Sequence, residues 1–387
     1  MNIVFICGTL EPGRDGVGDY TRRLAAELRT QHLNTAILSL NDKYIDEYSE
    51  SIQEFKGVEI PVLRLGEKLA TYRKTILAKN WIEKQNPEWL SLQYVPYSFQ
   101  QKGIPWNLAY QLHFFSKGRK WQIMFHELWI DSTNYKNTII ASLQRFFIKD
   151  LARKLNPNVI HTSLPLYKKR LKYLGFSAKE LPIFSNILEN NGSLHGYSPN
   201  FNIVFFSQFK VRESVIEFMK KLVKELILAD IDFRILLVGG CHEERVRLVN
   251  ELRKIPRVNR RIIYKGFLNE IALKKTIQSS DLCITPVPQH VLGKSGSAAA
   301  FLAQGIPVAA PYIKAGYEEF GIGFYDERLK NAILRSPNLR HLDIAREAAK
   351  EAPAILNISK IANQYLADIL EESSVKFSGY PIKLEQE

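Results

Sequence analysis

Short, almost wholly apolar runs alternate with helix-length amphipathic segments along most of the chain, and this alternation limits the fold more than any other feature. In the first half the strand-like runs are Ile3–Cys7, Ala36–Leu40, Glu59–Leu63, Trp89–Gln93, Gln122–Phe125, Val159–Thr162 and a short Leu181–Phe184. They are apolar at consecutive positions, so both faces of each strand must be covered, which predicts a parallel sheet between helices. Tyr20–Gln31 is the clearest helix, with Leu24 and Leu28 on its buried face and Asp19 as the predicted cap.

The pattern lapses in "SNILENNGSLHGYSPN", Ser185–Asn200, a stretch rich in Asn, Ser and Gly. It then restarts with strands at Asn202–Phe206, Phe233–Val238, Arg261–Tyr264, Leu282–Pro286 and Pro307–Ala310. Helices are predicted at Glu213–Ile227, Glu243–Lys254, Glu270–Gln278, Ser297–Gln304 and, near the end, Ile358–Glu371. The expected fold class is α/β, with two doubly wound, Rossmann-like parallel-sheet domains. The expected boundaries are 1–187 for the first domain, 188–200 for a linker and 201–355 for the second domain. Residues 356–387 form a C-terminal helix and tail able to pack back on the first domain.

Bulk properties narrow the function. Among 387 residues no apolar run reaches 18, so a transmembrane helix is not expected. The opening MNIVFICG reads as a first strand and not as a signal peptide. Cys7, Cys241 and Cys283 are widely spaced, which fits reduced thiols in a cytoplasmic protein. A net charge of +13 favours polyanionic partners. No recognition helix, zinc finger or RNA-binding signature accompanies it, so nucleic acid is not an expected partner. Phosphorylated metabolites and an anionic membrane surface remain. For the latter, Phe114, Phe115, Lys117, Arg119 and Trp121 form one aromatic and basic candidate segment.

In open parallel sheets, ligands bind beyond the carboxyl ends of the strands, so only loops that follow a strand qualify. The first is "GTLEPGRDGVG", which carries Gly16 and Gly18 into a helix start suited to an anion or a sugar hydroxyl. It is not a GxGxxG fingerprint, so a nicotinamide or flavin is not expected. His126 follows the strand Gln122–Phe125 and can donate to a ligand or carry a proton. Lys210 and Arg212, in "QFKVRE", can neutralise a departing diphosphate. Gly239, beside Gly240, permits close backbone approach, and Phe267, followed by Leu268, can pack on a nucleobase.

The last loop is "GKSGS", Gly293–Ser297, ahead of the helix predicted at Ser297–Gln304. Backbone amides of Ser295, Gly296 and Ser297 there can face a phosphate, with Lys294 adding charge. Asp230 and Asp232 look like a D-x-D metal site, but they precede a strand and lie at the wrong edge. No metal and no cofactor are expected.

The order of these marks resembles retaining glycosyltransferase family 4, of GT-B fold and bacterial type. The resemblance rests on Gly16-Val17-Gly18-Asp19-Tyr20-Thr21, "SLQYVPYSFQQKGIPW" (Ser91–Trp106), "LPIFSNI" (Leu181–Ile187), "GFLNEIALKKTIQSSDLCITP" (Gly266–Pro286) and "AQGIPVAAP" (Ala303–Pro311). It implies two domains facing across a cleft, with a nucleotide-sugar donor on the second and a saccharide or lipid-linked acceptor on the first. It places His126 near the transferred sugar, Lys210 and Arg212 near the diphosphate, and Phe267 and Leu268 near the base. It implies a metal-independent hexosyltransferase of polysaccharide or cell-envelope glycan synthesis, cytoplasmic or peripheral at the inner membrane face.

The chain departs from the family pattern at one pair of positions. The two glutamates usual around the donor loop are Leu292 and Ala300 here. The alternative is therefore a nucleotide-sugar-binding protein of the same fold with weak or no catalysis. An epimerase would need carboxylates at the sugar and a phosphorylase a pyridoxal lysine, and neither is apparent.

Overall fold

The structure, a computed structural model, describes residues 1–132, 134–187 and 200–375. The expected linker therefore lies outside the described residues except for Asn200. The chain divides into two compact units. The first comprises Met1–Thr162, Tyr167–Leu181 and the chain from Ile361; the second comprises Ser163–Leu166 and Pro182–Lys360.

The first unit holds β1 (Asn2–Cys7), β2 (Asn34–Asp42), β3 (Tyr48–Phe55), β4 (Val58–Gly66), β5 (Trp89–Tyr94), β6 (Lys120–Phe125), β7 (Val159–Thr162) and β8 (Lys179–Glu180). Their order is β3-β4-β2-β1-β5-β6-β7-β8. Every pairing is parallel except β3 with β4. That pair is a hairpin closed by Lys56 and Gly57, both at positive φ, as a tight two-residue turn requires.

Three expectations are corrected in this unit. "YSESIQEF" forms an edge strand although it is polar and half exposed. Leu181–Phe184 is not a strand; Lys179–Glu180 takes that place. The first helix runs Gly16–Thr30, and Asp15 caps it, its carboxylate accepting from the Gly18 N–H at 2.7 Å. Asp19 instead lies inside the first turn, where it accepts from Arg22 at 2.7 Å and from the Gly13 N–H at 3.1 Å.

The second unit holds β9 (Phe201–Phe206), β10 (Phe233–Val238), β11 (Ile262–Gly266), β12 (Leu282–Ile284), β13 (Val308–Ala309) and β14 (Ile333–Leu334). All pairings are parallel, in the order β11-β10-β9-β12-β13-β14. One face is covered by the helix Glu213–Leu228, whose Val215, Phe218, Met219, Leu222 and Leu226 are buried. Each such side chain contributes roughly 1.5–3 kcal/mol through removal from water. The other face is packed by the small-residue helix Gly296–Leu302, with Ala298–Ala300 fully inside.

In both sheets the chain starts at an interior strand and then builds outward in two directions. The direction changes between β1 and β5 in the first sheet and between β9 and β12 in the second. Splayed loops at such switch points leave a crevice at the carboxyl edge, the usual ligand position in open α/β sheets.

Candidate functional site

The second unit concentrates unsatisfied polar chemistry at its switch point. β9 ends at Phe206, and Ser207 then takes a left-handed turn at φ 66°. The following loop carries exposed Lys210 and half-buried Arg212 to the start of the Glu213–Leu228 helix. Arg212 is the helix N-cap residue, and its side chain gives the helix no capping hydrogen bond. Its guanidinium lies 4.4 Å from the Tyr312 ring centroid, while its buried Nε has no hydrogen-bond partner. Two residues on, the buried Ser214 hydroxyl also has none. A buried donor without an acceptor costs about 1–3 kcal/mol, more when charged. Together with the uncapped first turn of a 16-residue helix, these groups make an anion-seeking arrangement.

The neighbouring loops complete that edge. After β10, Gly239 and Gly240 both sit at positive φ. A Cβ on Gly240 would lie 2.3 Å from the Phe209 ring, so this position admits only glycine. Above Gly239 the nearest atom to such a Cβ is on the Phe267 ring, at 3.8 Å. Phe267 is 85% exposed, an aromatic face offered at the sheet edge, while Leu268 turns inward against the core. Of these two predicted base-side residues, only Phe267 presents its side chain outward.

The loop after β12 is more committed to packing than its sequence suggests. A Cβ on Gly293 would meet the Gly323 carbonyl oxygen at 2.2 Å, so Gly293 serves a backbone contact. The Ser295 N–H already donates to the Leu292 carbonyl at 2.9 Å, which corrects its assignment as a phosphate donor. The Ser295 hydroxyl caps Ala298 N–H at 3.3 Å and lies 3.0 Å from the Ser297 hydroxyl. The amides of Gly296 and Ser297 remain as first-turn donors, but on a helix of only seven residues. Lys294 is half-buried at the start of this loop. Leu292 and Ala300, the positions that depart from the family pattern, are each 1% exposed within the apolar core.

In the first unit, the loop after β1 is pinned rather than loose. Arg64 bridges Asp42 and Glu11 at 2.7 Å each, Asp42 accepts from the Leu10 N–H at 3.1 Å, and Arg22 donates to the Leu10 carbonyl at 2.5 Å. Burial alone would raise the Asp42 carboxyl, but the Arg64 guanidinium holds it below the usual range. Gly8 and Gly18 are packed against backbone, with added Cβ atoms 2.6 Å from Ser98 and Thr9 carbonyl oxygens; Gly16 faces open space.

His126 stands at the carboxyl end of β6, 7% exposed. Its ring meets Tyr20 edge-on at 4.9 Å, and its Nε2 lies 2.9 Å from Gln93 Oε1. Gln93 leads into a buried run of polar side chains on β5, β6 and β7 that the sequence reading passed over. The signal for it was visible, since Ser91, Gln93, Gln122 and His161 interrupt strands that are otherwise apolar.

Other sites resolve differently. Asp232 pairs with Arg261 at the amino edge of the second sheet, beside a groove of ≈ 740 Å³ that Arg234, Arg257 and Arg260 also line. Among the described residues no His, Cys, Asp or Glu group is assembled for a metal. Phe115 and Trp121 are buried, so of the aromatics at 114–121 only Phe114 is exposed, beside exposed Lys117. Exposed apolar side chains occur on several elements of this unit, and on the helix Tyr135–Leu155 four of them, Tyr135, Ile139, Leu143 and Phe146, recur at helical spacing. No helix is long and apolar enough among the described residues to cross a membrane.

No protein-family model matches the chain, and no curated protein matches its sequence. Solved structures do match. A glycosyltransferase from Rickettsia africae aligns with a TM-score of 0.63 at 12% identity, over 98% of this chain and 99% of that one. HepE of Anabaena, solved with UDP and glucose, aligns at 0.58 and 14% identity, over 96% of this chain and 99% of that one. A UDP-N-acetylglucosamine 2-epimerase-like protein from Listeria monocytogenes, described as putative, aligns at 0.57 and 12% identity, over 100% of this chain and 99% of that one. These likenesses, with the two parallel-sheet units, define the class: the chain has the GT-B fold. The glycosyltransferase from Rickettsia africae and HepE, also solved with UDP-glucose, share that fold with it.

Proposed function

We propose that this protein transfers a sugar from a nucleotide-activated donor to a saccharide or lipid-linked acceptor, with retention at the anomeric carbon. The observation that carries this is the arrangement at the carboxyl edge of β9. There Arg212 and Ser214 hold buried polar atoms without partners, beside exposed Lys210 and an uncapped helix start. A diphosphate satisfies all of them at once. The Gly239 backbone and the exposed Phe267 ring lie along the same edge and suit a ribose and base. HepE of Anabaena, of the same fold, was solved with UDP-glucose.

In this reading the bond from the anomeric carbon to the donor phosphate breaks, its electron pair leaving with the nucleoside diphosphate. The acceptor oxygen forms the new bond on the same face, and its proton passes to the departing phosphate. Arg212, Lys210 and the first-turn amides of the Glu213–Leu228 helix stabilise the charge that develops. Lys294, with the Gly296 and Ser297 amides, adds to this from the neighbouring loop. His126, with Gly16 and Gly18, serves the transferred sugar and the acceptor from the first unit. No step draws on a metal or cofactor.

The acceptor side of the proposal includes peripheral contact with an anionic membrane. Its support is the helix Tyr135–Leu155, which carries five basic residues against one acidic and exposes Tyr135, Ile139, Leu143 and Phe146. The alternative, donor binding without transfer, is favoured by one observation: Leu292 and Ala300 are core residues, so no carboxylate meets the sugar at either position. The decisive experiment is a transfer assay across UDP-, GDP-, ADP- and CDP-sugars. Product formation that falls roughly tenfold or more in Arg212→Ala and Lys210→Ala, with folding intact, supports transfer. Donor binding without product establishes the alternative, and equal turnover in both variants removes the two residues from the mechanism.

A further inference from the structure

A single hydrogen-bonded chain of side chains runs inside the first unit from His126 to the C-terminal helix Ile358–Val375. His126 Nε2 lies 2.9 Å from Gln93 Oε1, and Gln93 Nε2 lies 2.9 Å from the Ser91 hydroxyl. Ser91 lies 2.5 Å from Gln122 Oε1, and Gln122 Nε2 lies 3.0 Å from His161 Nδ1. His161 Nε2 then lies 2.9 Å from Asp368 Oδ2 on the C-terminal helix. Lys179 of β8 holds the other oxygen of Asp368 at 3.2 Å. Ser91, Gln93, Gln122 and His161 are all at most 1% exposed.

The direction of this chain follows from its one charged end. A carboxylate only accepts, so His161 must donate from Nε2. Buried His161 is neutral, because burial drives its pKa down and the Asp368 carboxylate offsets this only in part. Its Nδ1 must then accept, which turns the amide nitrogen of Gln122 toward it and the carbonyl of Gln122 toward Ser91. The Ser91 hydroxyl must donate to that carbonyl, so its lone pair receives the Gln93 amide nitrogen. The Gln93 carbonyl is left facing His126, whose Nε2 must carry a proton. Charge-assisted ends polarise such chains, and each link reinforces the next.

We infer that Asp368, through His161, Gln122, Ser91 and Gln93, fixes the tautomer of His126, so that these five act as positioning residues for a histidine they mostly do not touch. In that tautomer His126 Nδ1 is unprotonated, an acceptor and not a donor. This differs from the donor role the sequence suggests for it. Only the use of that acceptor rests on the proposed transfer reaction; the tautomer itself does not.

The test is long-range ¹⁵N–¹H correlation spectroscopy of the histidine rings in the full chain near neutral pH, which needs no substrate. Wild-type His126 and His161 should both carry their proton on Nε2. Ser91→Ala removes one oxygen and cuts the chain: His126 should then populate both tautomers while His161 keeps Nε2–H. Asp368→Lys replaces the acceptor-only end by a donor-only end and should move the proton of both rings to Nδ1. A wild-type His126 protonated on Nδ1, or on both nitrogens, overturns the inference. So does an unchanged His126 pattern in Ser91→Ala with the amide spectrum preserved. If the tautomers behave as stated but turnover is unaffected in Ser91→Ala, the positioning stands and the catalytic use of His126 falls.

Discussion

Glycines that look alike in the sequence do different work in the structure. Gly16 and Gly293 both belong to glycine-rich stretches at helix starts, Gly16 as the first residue of the helix Gly16–Thr30 and Gly293 three residues ahead of the helix Gly296–Leu302. An added methyl on Gly16 meets nothing within 4 Å, whereas on Gly293 it meets a backbone oxygen at 2.2 Å. Gly293→Ala should cost about 2 kcal/mol, in the range of overpacked cores, and lower the melting temperature by several degrees. Gly16→Ala should stay within about 0.5 kcal/mol of wild type by the same thermal measurement. The sequence shows that a loop is rich in glycine but not whether the space is kept for a ligand or for another part of the backbone.

The buried His161–Asp368 pair is a second residue-scale feature with a measurable consequence. Burial drives the His161 pKa below its ordinary value in the folded chain. Burial also opposes ionisation of Asp368, yet the His161 N–H and the Lys179 ammonium hold its carboxyl below the usual range. For both groups the unfolded chain binds protons first as pH falls, so the native state loses stability on acidification. The histidine part is fully present above its unfolded pKa of about 6.5 and is lost as pH drops below it. Thermal unfolding between neutral pH and mild acid should therefore show a shallower pH slope in His161→Gln than in wild type.

Among the elements, those with a strong apolar pattern were legible. Phe233–Val238, Val159–Thr162 and Glu270–Gln278 fall where the apolar runs and helical spacing place them. The edge strand Tyr48–Phe55 was not, because an edge strand needs only one apolar face and this one has a weak one. Two-residue β14 is too short to carry a pattern at all. The helix Tyr135–Leu155 shows a subtler limit. Its apolar residues form two stripes, one buried through Ala141, Ile148 and Leu155, the other exposed through Tyr135, Ile139, Leu143 and Phe146. Composition could suggest a membrane contact, but only burial separates the stripe that faces outward from residues such as Phe115 and Trp121 that do not. A double Ile139→Ser, Phe146→Ser variant should reduce co-sedimentation with anionic vesicles several-fold, since each apolar side chain withdrawn from water is worth roughly 1.5–3 kcal/mol. High salt should weaken the remaining binding. Equal co-sedimentation of the variant and wild type would leave the stripe without this role.

At the scale of the whole molecule, two sheets, one wholly parallel and one parallel but for its β3–β4 edge pair, each bring their chemistry to the carboxyl edge of the strand where the chain begins to build. That placement was legible from alternation alone, because a strand must be followed by its loop at that edge. The loop residues with free polar capacity were legible only in part. Lys210 and Arg212 stood out by charge, but Ser214 did not, and the buried state of Arg212 Nε depends on how Tyr312 packs across it. The central claim is that this edge of the second unit binds a nucleoside diphosphate. Calorimetric titration of the full chain with UDP, GDP, ADP and CDP tests it most directly. Saturable binding of at least one is predicted, weakened roughly 10–100-fold in Arg212→Ala, the loss of about 1.5–3 kcal/mol expected for a charged hydrogen bond. No binding by any of the four, or equal affinity in the variant, would contradict it.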